Sequence, residues 1–254
     1  MKTVRVRDVV IGEGMPKVCV PIVETKLEAA VSAARNLKSG GADVAEWRID
    51  WFDDAYDISH VLKAAGCIQK ELDHIPLLAT FRTAKEGGEK EISVQQYKDL
   101  YFALIRSGFV DLIDVELFFH EETAKELVAE AHKAGVIVIA SNHDFKATPG
   151  KEELFSRLKK MQELGADIPK IAVMPKDIGD VMVLLTATYE MSHHLADRPI
   201  ITMSMSKDGV ISRFSGEFFG SAMTFAAVGK SSAPGQVEVG SLKTILSQIH
   251  DIIS

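Results

Sequence analysis

Cysteine is nearly missing from this sequence of 254 residues. Cys19 and Cys67 lack any metal-type spacing, and Cys19 lies in an apolar strand-like run, where a buried free thiol is expected. So few cysteines in so long a chain fit a reducing compartment. No apolar stretch approaches the ~20 residues that cross a bilayer. The start, Met1-Lys2-Thr3-Val4-Arg5, lacks the apolar core of a secretory signal. A cytoplasmic location is the resulting expectation. Excess positive charge is also missing: the net charge is −7 and no basic face stands out. That argues against nucleic-acid and anionic-membrane partners. The first strand–helix turn carries no Gly-x-Gly-x-x-Gly, which weakens a dinucleotide-binding open sheet. No low-complexity linker or composition break divides the chain, so one domain spanning 1–254 is expected.

What is present is alternation. Apolar strand-like runs at 18–23, 44–49, 77–81, 110–115, 136–141, 170–174, 200–203 and 222–228 are separated by segments with helical spacing. Ala124, Leu127, Val128 and Ala131 share one helical face, as do Leu154, Leu158, Met161 and Leu164. Gly40, Gly108, Gly135 and Gly165 sit where helix C-caps belong. Eight such units match an α/β (β/α)8 barrel, with a doubly wound open sheet as runner-up. Residues 3–11 alternate at period two and read as a hairpin plugging one barrel end.

Lys170 is the most informative residue. It lies in a short apolar run bounded by Pro169 and Pro175. Burial disfavours the ammonium, and a free amine attacks carbonyls to form Schiff bases. The competing reading is a strand-end lysine that snorkels to water. Barrel chemistry collects where strands end, and ionisable residues recur there. Glu46 and Arg48, two apart, point inward together, as substrate contacts or as an ion pair. Arg82 follows Phe81, and Asp114 and Glu116 end the fourth run. His143 ends the fifth as a candidate base or a core histidine, and Met203 and Met205 end the seventh as packing. Two glycine-bearing loops, 86–89 and 229–236, read as mobile and ligand-facing, the second as a lid or a phosphate cradle. Arg213 is placed for bidentate carboxylate binding.

The blocks Gly12-Glu13-Gly14, Glu46-Trp47-Arg48, Phe81-Arg82, Lys85-Glu86-Gly87-Gly88, Ser141-Asn142-His143-Asp144-Phe145 and Lys170-Ile171-Ala172-Val173-Met174-Pro175 run in order along the chain. Met203-Ser204-Met205-Ser206, Ser212-Arg213 and Ser232-Ala233-Pro234-Gly235-Gln236 follow. Together they resemble the type I 3-dehydroquinate dehydratases. That resemblance implies a lyase of the shikimate pathway that needs no metal or cofactor, acts on a small molecule and forms a homodimer. It implies Lys170 as the imine-forming amine, His143 as base and acid, and Glu86 as the group orienting His143. It implies Arg213, Ser232 and Gln236 at the substrate carboxylate and closing loop. Glu46, Arg48 and Arg82 would hold ring hydroxyls, and Met203 and Met205 would form an apolar wall. Pro21 stands where some members have serine, which puts one hydroxyl contact in doubt. A class I aldolase-type barrel enzyme and a non-catalytic sensor of hydroxylated cyclic acids are the alternatives.

Overall fold

Chain order dictates the architecture, because seven of the eight strand-like runs are followed by a helix long enough to carry the chain back to the same end of the sheet. The computed structural model describes residues 3–228 and 234–254. It opens with an antiparallel hairpin, β1 (Val4–Val6) and β2 (Val9–Ile11). Then follow β3 (Lys17–Ile22), α1 (Leu27–Gly40), β4 (Val44–Arg48), α2 (Ile58–Leu72), β5 (Leu77–Thr80), α3 (Val94–Ser107), β6 (Leu112–Glu116) and α4 (Glu121–Ala134). The second half comprises β7 (Ile137–Asp144), α5 (Lys151–Glu163), β8 (Ile168–Val173), α6 (Ile178–Glu190) and β9 (Ile201–Ser204). Two short helices, α7 (Ile211–Phe214) and α8 (Gly216–Phe219), precede β10 (Met223–Ala227), β11 (Val237–Glu238) and α9 (Val239–Ile253).

Strands β3 to β9 pair in sequence, all parallel, and β10 pairs with β3. The ring closes between β9 and β10, where Ala222 N donates to Ile200 O at 2.8 Å and Thr202 N donates to Ser221 Oγ at 3.0 Å. The α/β barrel is therefore the observed fold, and β11 adds a short strand on the outer part of β10.

Alternation along each strand sorts the side chains into two cores. Outward residues such as Ala45, Trp47, Ile113, Val138 and Ile171 pack against the helices. Inward residues Cys19, Val44, Leu78, Leu112, Ile139, Ile168 and Ile201 fill the barrel's lower half, where Val6 and Ile11 of the hairpin close it. Arg7 fastens the hairpin through Nε to Asp111 Oδ1 at 2.7 Å. The helices begin where the sequence supplies caps. Asp57 accepts from Ser59 N and His60 N at the start of α2, and Ser93 with Gln96 forms a capping box at α3.

Several boundaries differ from the expectation. β7 continues through His143 and Asp144, because Ala172 and Val173 of β8 stand opposite as register partners. β8 starts at Ile168 and passes through Pro169, so that proline lies within the strand. Gly40 belongs to α1, and Gly41 is the left-handed cap with φ 76°. No helix among the described residues is long and apolar enough to cross a membrane.

Candidate active site

Two residues above the apolar layer, on the same inward face, the chemistry of the barrel changes. Val44, Leu78, Leu112, Ile139 and Ile168 give way to Glu46, Thr80, Asp114, Ser141 and Lys170. Another two residues on stand Arg48, Arg82, Glu116, His143 and Ala172. Strand periodicity alone thus builds an ionic floor over an apolar plug. Every polar member of those two layers but His143 is fully buried, and His143 nearly so.

Lys170 is 3% exposed, which excludes snorkelling to water. Its Nζ donates to Asp114 Oδ2 at 2.9 Å and stands 4.5 Å from the centroid of the Phe225 ring. Ile171 and Val173 point to the helices, whereas Ala172, Met203 and Met205 share the inner face with Lys170. A carboxylate, not only apolar surface, meets the amine. Burial opposes ionisation of Asp114, yet the Arg82 and Lys170 charges outweigh it and hold that carboxyl well below the usual carboxylate range.

Arg82 is the hub of the acidic groups. It donates to Asp114 Oδ1 at 2.8 Å, Glu116 Oε1 at 2.9 Å and Ser141 Oγ at 2.9 Å. Arg48 pairs with Asp50 through two parallel bonds of 2.8 and 2.7 Å, so the pairing of Glu46 with Arg48 does not occur. Glu46 instead accepts from Thr80 Oγ1 at 3.0 Å.

The turn after β5 delivers Glu86 to the barrel mouth. It was expected to be mobile, but a helical turn over Ala84–Glu86 buries Glu86. Gly88 N closes onto Thr83 O at 2.9 Å, and Asp50 accepts from Arg82 N and Glu89 N at 3.2 and 3.1 Å. Gly87 adopts φ 82° against the Phe145 ring, and a Cβ on Gly88 would lie 1.9 Å from Arg82 O. Glycine is required there by approach of the backbone. Glu86 accepts from Asn142 Nδ2 at 3.0 Å and His143 N at 2.9 Å, and its Oε2 lies 3.0 Å from His143 Nδ1. Burial and the nearby Glu116 push the Glu86 carboxyl up to about 8. Burial, then the Arg82 and Lys170 charges, push the His143 imidazole well below its ordinary value. Both shifts disfavour charge on the pair, and the contact of Nδ1 with Glu86 fixes the ring so that Nε2 is the nitrogen left for a ligand.

Arg213 closes the opposite side. It is 1% exposed, and among the described residues its Nη atoms donate to the carbonyls of Phe225 and Pro234, at 3.3 and 3.0 Å. Among the described residues its Nε has no hydrogen-bond partner. Burial without an acidic partner lowers this guanidinium to about 10. An anion entering the pocket would supply the charge that Arg213 lacks.

The pocket brings together Glu46, Arg48, Arg82, Glu86, His143 and Lys170. Met203, Met205, Arg213 and Gln236 line it as well. Ser232 and the rest of 229–233 lie outside the described residues. Pro21 lies within β3 opposite Glu46 and borders a separate cleft at the rim. Asp114, Asp50, Asn142 and Phe225 were not singled out for roles at the site. The inward alternation of Asp114 and Glu116 was the available signal for the first.

Such an arrangement can form and hold an imine, move a proton beside it and seat an anion across from it. Comparison with known proteins points the same way. The family model for type I 3-dehydroquinase matches residues 18–253. The 3-dehydroquinate dehydratase of Salmonella typhimurium is 54% identical over 250 residues, covering 98% of this chain and 99% of that one. A solved type I 3-dehydroquinate dehydratase from Clostridium difficile, bearing covalently modified comenic acid, is 50% identical with a TM-score of 0.96 and 99% coverage of both chains. The enzyme from Enterococcus faecalis is 44% identical with a TM-score of 0.91, covering 96% of this chain and 98% of that one. With the match running through the whole barrel and the ionic layers at its mouth, this chain belongs to the type I 3-dehydroquinase family.

Proposed function

We propose that this chain dehydrates 3-dehydroquinate to 3-dehydroshikimate by syn elimination through an imine on Lys170. The observation that carries the reading is a buried lysine sharing one pocket with an oriented histidine and a guanidinium that has no acidic partner among the described residues. Arg213, with Gln236 and Ser232, takes the substrate carboxylate. Glu46, Arg48 and Arg82 meet the ring hydroxyls, and Met203 and Met205 confine the ring. Lys170 attacks the ketone, and loss of water leaves an iminium, a stronger electron sink than a carbonyl. His143 Nε2 removes the proton from the adjacent carbon, giving an enamine, and Glu86 holds the ring for this step. The enamine re-forms the iminium as hydroxide departs with the proton that His143 returns. Water then releases the enone and frees Lys170. No metal or cofactor enters these steps. Family membership supports a homodimer of one-barrel subunits working in the cytoplasm.

The test is borohydride reduction in the presence of 3-dehydroquinate, followed by peptide mapping, with the enone followed by ultraviolet absorbance. A reduced adduct on Lys170 and a rising enone signal are expected. Lys170→Ala should give no adduct and no turnover. Enone formation without an adduct would overturn the imine. Neither signal would overturn the dehydratase reading and favour a sensor.

A further inference from the structure

The proposed steps leave Asp114 unused, although it touches the reacting amine. Its side chain has no exposure. Oδ2 accepts from Lys170 Nζ at 2.9 Å, while Oδ1 takes Arg82 Nη2 at 2.8 Å and the Ser141 hydroxyl at 2.5 Å. Its backbone carbonyl accepts from Tyr101 Oη at 2.6 Å, and that same hydroxyl accepts from Phe81 N at 2.9 Å. Register pairing with Thr80 and Ile139 fixes the strand on both sides. The carboxylate is thus held from every direction, and Lys170 is the only one of its cations that the reaction transforms.

Charge balance gives this fixed anion a purpose. An ammonium and a ketone yield an iminium and water. Two N–H hydrogens leave with the carbonyl oxygen, and the nitrogen carries one positive charge before and after. A stationary counter-ion therefore suits both ends of the step. It must not itself take a proton, or the charge it matches would be lost. With two cations and a hydroxyl already donating to it, Asp114 is a poor acceptor. The hydrogens can reach the oxygen through His143, which lines the same pocket. We propose that Asp114 is a positioning residue and permanent counter-ion, aiming the Lys170 nitrogen into the pocket and matching its charge from ammonium to iminium. The proposal rests on the imine reading above, but its first readout does not.

That readout is methylation of Lys170 by formaldehyde and cyanoborohydride, mapped by peptide mass across a pH series, with no dehydroquinate present. In Asp114→Asn the methylation profile of Lys170 should move to lower pH by roughly 1–3 units, the usual effect of losing an adjacent opposite charge. Borohydride trapping of dehydroquinate should shift in the same direction while turnover falls. Asp114→Glu, which keeps the charge, should keep the wild-type profile with reduced turnover. A folded Asp114→Asn protein with an unmoved profile would overturn the counter-ion role, since a purely structural residue would change stability alone. If Asp114→Asn does not fold, a downward-shifted profile in Asp114→Glu overturns it instead. Failure to trap dehydroquinate would sink the imine reading while the methylation result still stood.

Discussion

His143 is the residue whose environment most constrains the chemistry. Burial and two neighbouring cations keep its imidazole neutral, so it is competent as a base above its lowered value and is lost as pH falls through it. The acid limb of kcat/KM should therefore lie below ~6.5, the ordinary histidine value. A pH–rate profile with that limb at or above ~6.5 would contradict the burial argument. The linkage has the same sign: the unfolded chain takes up this proton first, so the stability cost of a neutral His143 appears only below ~6.5. His143→Ala should slow elimination by about 10² to 10⁴, the range of a positioned acid–base. Imine trapping should survive in that variant. Turnover within a few fold of wild type would remove His143 from the proton transfer.

At the scale of elements, the turn between β5 and α3 carries the most structure per residue. Asp50 gathers Arg48, Arg82 N and Glu89 N, and so welds the end of β4 to the turn that presents Glu86. Gly88→Ala would drive a methyl into Arg82 O and shift Glu86 away from His143. A loss of roughly 10²-fold in kcat is expected, the scale of a 1 Å misplacement. Thermal melting and steady-state rates would separate this from unfolding, since an unfolded variant loses both together. This turn was readable only as glycine-rich, hence its expected mobility. What pins it comes from the helical turn just after β4, at a separation of 32 from Asp50 to Arg82. The same distance effect hid the partner of Lys170, which lies 56 residues away. The apolar run at 136–141 stopped short of His143 because Asn142-His143-Asp144 is polar. Pairing with β8 overrides that local preference. By contrast, the helical faces of α4 and α5 were legible from spacing alone, because amphipathic periodicity is local.

For the whole molecule, stability and chemistry occupy opposite ends of one barrel. Ile11 is fully buried in the apolar plug, far below the ionic layers. Ile11→Ala should cost about 2–5 kcal/mol in urea unfolding and leave kcat unchanged at moderate temperature. A drop in kcat without a drop in stability would show that the hairpin reaches the site. The barrel itself was legible because eight strand–helix units leave few other ways to cover both faces of a parallel sheet. The two-residue step from Ile168 to Lys170 to Ala172 has one more consequence, for how such a gene can drift. Substitutions on the helix-facing positions leave the catalytic geometry alone, but a single codon lost from β8 would swing the amine out of the barrel. Two codons lost would lower it by roughly 6 to 7 Å, at about 3.3 Å per residue, into the apolar layer. Insertions and deletions that preserve the site must therefore fall in the loops, and the strands behave as a ruler whose marks are read in pairs.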